Sequence, residues 1–182
     1  MEMKGERQLP VERAAAWTML NDSEFLKSCI PGCESITAVS DHSYDIVMNA
    51  AIGPVKARFK GKMAMTDIDP PRSYRLAFDG QSTQAGFARG TADIRLEELG
   101  PGSTKLVYAA TAQVGGKLAQ VGSRLVDAAA AATADKFFEA FAAQITARSA
   151  GATPGATALP PPGQPGFWSW LVSFLRYLFG RR

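Results

Sequence analysis

The chain carries no acidic residue after Glu139, a single histidine at position 42 and only two cysteines. It also lacks a run of the roughly 20 apolar residues that a membrane-spanning helix requires. Each absence narrows the possibilities. Three of the 20 basic residues, Arg176, Arg181 and Arg182, lie in the last segment, so the remaining 17 balance the 17 acidic ones. Residues 1–150 are therefore neutral, and without a net positive field to attract phosphates they do not read as nucleic-acid binding. One histidine and two cysteines are too few for a zinc site, and they leave no metal-ligand set. Cys29 and Cys33, in Cys-Ile-Pro-Gly-Cys, do not have the spacing of a thiol oxidoreductase. They read as thiols packed around a Pro-Gly turn in a reducing compartment. Residues 1–10 hold Glu2, Lys4, Glu6 and Arg7 and no apolar run, unlike a secretory signal, so a cytoplasmic address is expected.

What is present is one domain's worth of core, with 46% hydrophobic and 20% charged residues. Loose alternation predicts a strand over 2–9. Pro10 precedes a helix over 11–20, and Asn21-Asp22-Ser23 breaks it and caps a second helix over 24–28. Period-two patterning then predicts strands over 35–39, 43–52, 55–67, 73–80, 86–99 and 103–114, separated by Gly, Pro and Asp-His punctuation. Between 55 and 65, Val55, Ala57, Phe59, Gly61, Met63 and Met65 share one face, and Lys56, Arg58, Lys60 and Lys62 the other. That is a half-buried antiparallel strand. A long helix is predicted over 117–148, with Leu118, Val121, Leu125, Phe138, Phe141 and Ile145 recurring at helical steps. The order predicts an α+β fold: a single curved antiparallel sheet wrapped around a long C-terminal helix, over residues 1–149.

Residues 150–166 are uncharged and rich in Ala, Gly and Pro, and read as a semi-extended linker able to reach about 50 Å at about 3 Å per residue. Residues 167–182 read as an amphipathic anchor. Phe167, Trp168, Trp170, Leu171, Phe174, Leu175, Tyr177 and Leu178 surround a narrow polar wedge of Ser169, Ser173 and Arg176. A helix of about 20 Å is too short for a hydrocarbon core of about 30 Å. Tryptophan and tyrosine favour the headgroup boundary, and Arg181 and Arg182 favour anionic lipid. A monotopic helix at the cytoplasmic face of the cell membrane is expected. Docking of this segment on a partner protein, or into the domain's own cavity, is the alternative.

Several motifs occur in a fixed order: Leu20-Asn21-Asp22, Cys29-Ile30-Pro31-Gly32-Cys33-Glu34, Ile52-Gly53-Pro54-Val55-Lys56, Phe59-Lys60-Gly61-Lys62, Gly86-Phe87-Ala88-Arg89-Gly90, and the run from Val114 through Gly115-Gly116-Lys117-Leu118 to Gly122. Over about 1–146 the chain resembles the carbon monoxide dehydrogenase G-subunit family of the START-like (SRPBCC) helix-grip superfamily. The resemblance implies a sheet gripping its last helix around a cavity. It also implies an accessory protein that recruits a carbon monoxide dehydrogenase-like molybdenum hydroxylase to the membrane, rather than a catalyst.

The faces assigned inward bear on that cavity. They carry Met48, Phe59, Met63, Met65, Leu76, Phe78, Ile94 and Tyr108, with Leu118, Val121 and Leu125 from the helix, among many alanines and glycines. Small residues on both surfaces either draw helix and sheet together or leave an apolar tunnel. In a membrane-tethered protein serving such an enzyme, a tunnel points to a hydrophobic ligand, and the expected one is a respiratory quinone such as menaquinone. No covalently bound cofactor and no catalytic residue is expected. His42 sits at a hairpin tip, and Asp93, Arg95 and Glu97 take the outward parity of their strand. Arg89 would turn inward only if its glycine neighbours bulged the strand. Tyr108 is the best inward polar group. A cyclase or hydrolase of the same superfamily, and a structural anchor with a filled core, are the rival readings. The basic stripe reads as a solvated face or as a surface for an acidic partner or anionic lipid. Gly115, Gly116 and Gly122 read as a hinge or cavity mouth, or as a close-packed strand end.

Overall fold

The computed structural model describes the backbone of residues 1–151 and the side chains of residues 1–148. The chain divides into two units, Met1–Ala150 and Gly151–Arg182, and the fold described is that of the first. The anchor expected at 167–182, and the linker beyond Gly151, lie outside the described residues.

Strand β1 (Glu2–Leu9) is followed by helices α1 (Arg13–Leu20) and α2 (Ser23–Cys29). Six strands come next: β2 (Cys33–Ser40), β3 (Ser43–Ile52), β4 (Val55–Asp69), β5 (Ser73–Ser82), β6 (Gly86–Gly100) and β7 (Ser103–Gly115). A short α3 (Lys117–Gln120) and the long α4 (Ser123–Gly151) complete the order. The strands make one curved antiparallel sheet in the order β1-β7-β6-β5-β4-β3-β2. Six of the seven are joined by consecutive hairpins, and β1 pairs with β7 across the whole chain. The α+β class and the sheet-and-helix architecture are those the patterning predicts.

Side-chain alternation and ladder register together fix which residues share the concave face. Tyr44 lies opposite Met63, Met48 opposite Phe59, Met65 opposite Leu76 and Met63 opposite Phe78. Across the next pairs, Tyr74 meets Ile94 and Phe78 meets Gly90, and Ile94 meets Tyr108. The predicted inward residues of the strands thus share one face. Arg89 pairs in unbroken register with Asp79 and Gln113. The flanking glycines do not bulge the strand, and its guanidinium stays on the convex side with the Phe87 ring.

The helix predicted to run unbroken from 117 stops at Gln120 and restarts at Ser123. Gly122 sits at φ 91°, in the left-handed region where a side chain is strained. The restart resets the helical phase. Val126, Phe141 and Ile145 are buried, whereas Leu125 is 48% exposed and lies beside Gly53. Leu125 is therefore no part of an inner wall. Gly116 takes φ 73°, and a Cβ there would come within 2.7 Å of the Gly86 backbone, so this segment is a close-packed strand end.

Two buried clusters occupy the concave side. One joins α1, α2 and the C-terminal half of α4 to β1, β6 and β7 through Leu9, Leu20, Phe25, Leu96, Leu106, Phe141 and Ile145. Phe25 and Phe141 meet edge to face at 5.0 Å, worth about 0.5–1.5 kcal/mol beyond the area buried. The other joins Ala57, Phe59, Ala85 and Leu118 at the opposite end. Buried Thr104 donates to the carbonyl of Val11 at 2.7 Å and fixes the chain's exit from β1. Asp22 caps α2 by accepting from the amides of Glu24 and Phe25.

Candidate functional site: an uncharged apolar cavity

Between the clusters and beneath the α1–α2 corner lies a cavity of about 180 Å³. The sheet contributes Ile36, Tyr44, Met63, Met65, Tyr74, Leu76, Ile94, Leu106 and Tyr108. Leu20, Asn21, Ser23, Leu26 and Ile30 come from the α1–α2 corner and the turn after it, and Phe137 and Phe138 from α4. None of these side chains carries a charge, and none is a carboxylate, imidazole or thiol.

Five of the eleven predicted cavity residues line it: Met63, Met65, Leu76, Ile94 and Tyr108. The rest are corrections. Phe59 and Leu118 are buried in the second cluster, with Met48 packed against them, so that end of the face is filled rather than hollow. Phe78 folds over Gly90, where a Cβ would sit 2.9 Å from its ring. Val121, at the end of α3, lines no part of the cavity, and Leu125 faces outward. The open space is thus local, not a tunnel along the whole face.

The polar groups differ from those expected. The Tyr108 hydroxyl reaches over Gly5, where a Cβ would meet it at 2.5 Å, and its ring stacks on Phe138 at 5.6 Å. Phe138 is held in turn by the Arg7 guanidinium, which also pairs with Asp135. Tyr108 therefore presents its ring to the cavity. Tyr44 and Tyr74, outside the expected set, supply the phenols. Extending the inward parity of Leu76 and Phe78 back by two residues would have found Tyr74. Its ring is held edge-on by Trp17 of α1 at 5.5 Å and 84°. Burial, with the Tyr44 phenol nearby, pushes the Tyr74 hydroxyl well above the ordinary tyrosine range. It stays a neutral donor at any physiological pH.

Other candidate chemistry lies elsewhere. His42 is exposed in the β2–β3 turn. Cys29 is buried and Cys33 half-buried, both free, and burial raises both thiols away from the reactive thiolate form. Among the described residues no cluster of His, Cys, Asp or Glu could hold a metal ion. On the convex face Arg58 is claimed by Glu34 at 2.6 Å, and Asn49 donates to the same carboxylate. The Arg58 hydrogen bond, then that of Asn49, holds Glu34 below the usual carboxylate range. None of the described helices is long and apolar enough to cross a membrane.

A curved seven-stranded antiparallel sheet closed over a long C-terminal helix, with an apolar cavity beneath the α1–α2 corner, defines a START-like helix-grip protein. The solved structures similar to it agree. A conserved protein from Geobacillus kaustophilus superposes with a TM-score of 0.77 at 28% identity, covering 81% of this chain and 96% of that one. The Zhui aromatase/cyclase from Streptomyces sp. R1128 has a TM-score of 0.63 at 13% identity, with 84% and 99% covered. A START superfamily protein from Mycobacterium smegmatis gives 0.62 at 13%, with 81% and 98% covered. The last two show the fold alone. Residues 5–146 match the family of the carbon monoxide dehydrogenase G subunit (CoxG), and the chain belongs to that family. No curated protein matches the chain.

Proposed function

We propose that this protein is a membrane-tethered accessory protein of a carbon monoxide dehydrogenase-like molybdenum hydroxylase. In this reading it recruits the enzyme to the cytoplasmic membrane surface and holds a respiratory quinone such as menaquinone in its cavity. The enzyme is thereby linked to the membrane's quinone pool. The observation that carries the reading is the cavity, an uncharged apolar space with two phenols in its wall, in a chain of the CoxG family.

Size refines the proposal. A cavity of about 150 Å³ accepts benzene, whereas sites for whole drug-sized ligands run to about 300–1,000 Å³. The space of about 180 Å³ therefore suits the ring of a quinone, with its isoprenoid chain outside. Met63 and Met65 give the wall unbranched, polarisable side chains that can repack around it. General acid–base catalysis needs a titratable group within reach of the substrate. The lining offers only tyrosine phenols, that of Tyr74 held neutral by burial, and an amide and hydroxyl from Asn21 and Ser23. That supports carriage over cyclase or hydrolase chemistry.

Membrane tethering rests on the pattern of residues 167–182. The proposal is tested by mass spectrometry of a gentle organic extract of full-length protein purified without detergent. A bound isoprenoid quinone is expected. Extracts that contain no lipid-like molecule would reduce the protein to a structural anchor.

A further inference from the structure

We propose that the Tyr74 phenol, with that of Tyr44 in the same wall, is the hydrogen-bonding part of this cavity, and that it admits an uncharged ring bearing a carbonyl while rejecting carboxylates. The inference rests on the reading of the cavity as a ligand site, and it names the chemistry that the site recognises.

Three observations converge. Tyr74 is only 8% exposed, yet among the described residues its phenol makes no hydrogen bond, and neither does that of Tyr44. Buried polar groups are almost always paired, so an unpaired phenol bordering a void points to a partner that arrives with a ligand. Among the described residues no buried side-chain oxygen or nitrogen is sealed off without a partner, so the Tyr74 oxygen still meets open space. The position is also built rather than incidental. Trp17 packs edge-on against the Tyr74 ring and fixes its direction from α1. Tyr44 stands on the same face two strands away and lines the same cavity.

Rejection of carboxylates follows from what is missing in the lining. No lysine, arginine or histidine borders the cavity. A carboxylate drawn into it would be buried without a counter-charge, which is strongly unfavourable. A neutral carbonyl needs only a donor, and the phenols supply that. A phenol can also turn to accept from a hydroxyl, so the same two groups serve both the oxidised and the reduced form of a quinone-like ring.

The test is equilibrium dialysis of the full-length chain with three one-ring compounds: duroquinone, durene and tetramethylbenzoic acid. Duroquinone is fully methylated, which prevents addition of the Cys33 thiol to its ring. Wild type is expected to bind duroquinone and durene and to take up no tetramethylbenzoic acid at neutral pH. The Tyr44→Phe/Tyr74→Phe double variant, which keeps both rings, should lose about tenfold in duroquinone affinity while durene affinity holds. Equal duroquinone binding by wild type and double variant would overturn the phenol assignment and leave the carrier reading standing. Uptake of the acid as strong as that of the quinone would overturn the exclusion of carboxylates. Failure of both neutral rings to bind wild type would overturn the ligand site itself.

Discussion

At the scale of single residues, the cavity's chemistry comes from where three tyrosines put their oxygens. Gly5 gives the Tyr108 hydroxyl its place on β1. Gly5→Ala would push that phenol off its stack with Phe138 and should cost about 1–3 kcal/mol, read as a lower melting temperature. Tyr74 has the opposite character, with an unpaired hydroxyl whose ionisation burial opposes. Its folded pKa lies above the unfolded value of about 10. Stability linked to it is therefore whole below about pH 10 and falls as pH rises further, because the unfolded chain releases a proton that the folded chain keeps. Urea midpoints measured across that alkaline range should fall less steeply for Tyr74→Phe than for wild type. Identical slopes would mean that the phenol is already solvated. The identity of this pair of phenols was within reach of the sequence, since Tyr44 and Tyr74 hold the parity of inward neighbours. What the sequence did not carry was the direction of each hydroxyl, which depends on contacts from other elements: Gly5 on β1 and Trp17 on α1.

At the scale of elements, the strands were legible because one face is buried and the other wet, and the two-residue period holds along β4 as far as Met65, before the irregularity between Thr66 and Asp69. β1 and β3 keep the expected bounds, and the other five strands run one or two residues further at an end, as ladder hydrogen bonds continue past the last buried side chain. The helices were less legible. Leu118, Val121 and Leu125 read as one apolar stripe only if the helix is continuous. Gly122 breaks it, and the stripe belongs to two separate segments. Gly122→Ala forces a side chain into the left-handed region and should cost about 1–2 kcal/mol, seen as a lower urea midpoint. A stabilised variant would show that α3 and α4 can fuse. The cap of α2 is a local signal that did survive: Asp22→Ala should cost about 1 kcal/mol by the same measurement.

For the whole molecule, a sheet and a helix that close at both ends and part beneath the α1–α2 corner leave room for one ring. The existence of a cavity was legible in the small residues of both surfaces, but its location was not. Which small residues meet large partners is decided by how Phe59, Leu118 and Phe78 pack across strands. The basic stripe also reads differently in three dimensions, because Arg58 is engaged by Glu34 and only the lysines remain to meet a partner. In liposome flotation with anionic vesicles, the full-length chain is expected to float and a chain ending at residue 150 to stay in the soluble fraction. Equal partitioning would remove the anchor.

A carrier role depends above all on the cavity being a site that a neutral ring enters. Native mass spectrometry of the full-length chain titrated with a short-chain menaquinone tests this directly, with Met63→Trp as the variant that fills the space. One ligand per wild-type chain is predicted, with binding lost in Met63→Trp while its melting temperature holds. Equal loading of the two proteins would contradict the carrier role, because the ligand would then lie somewhere other than the cavity.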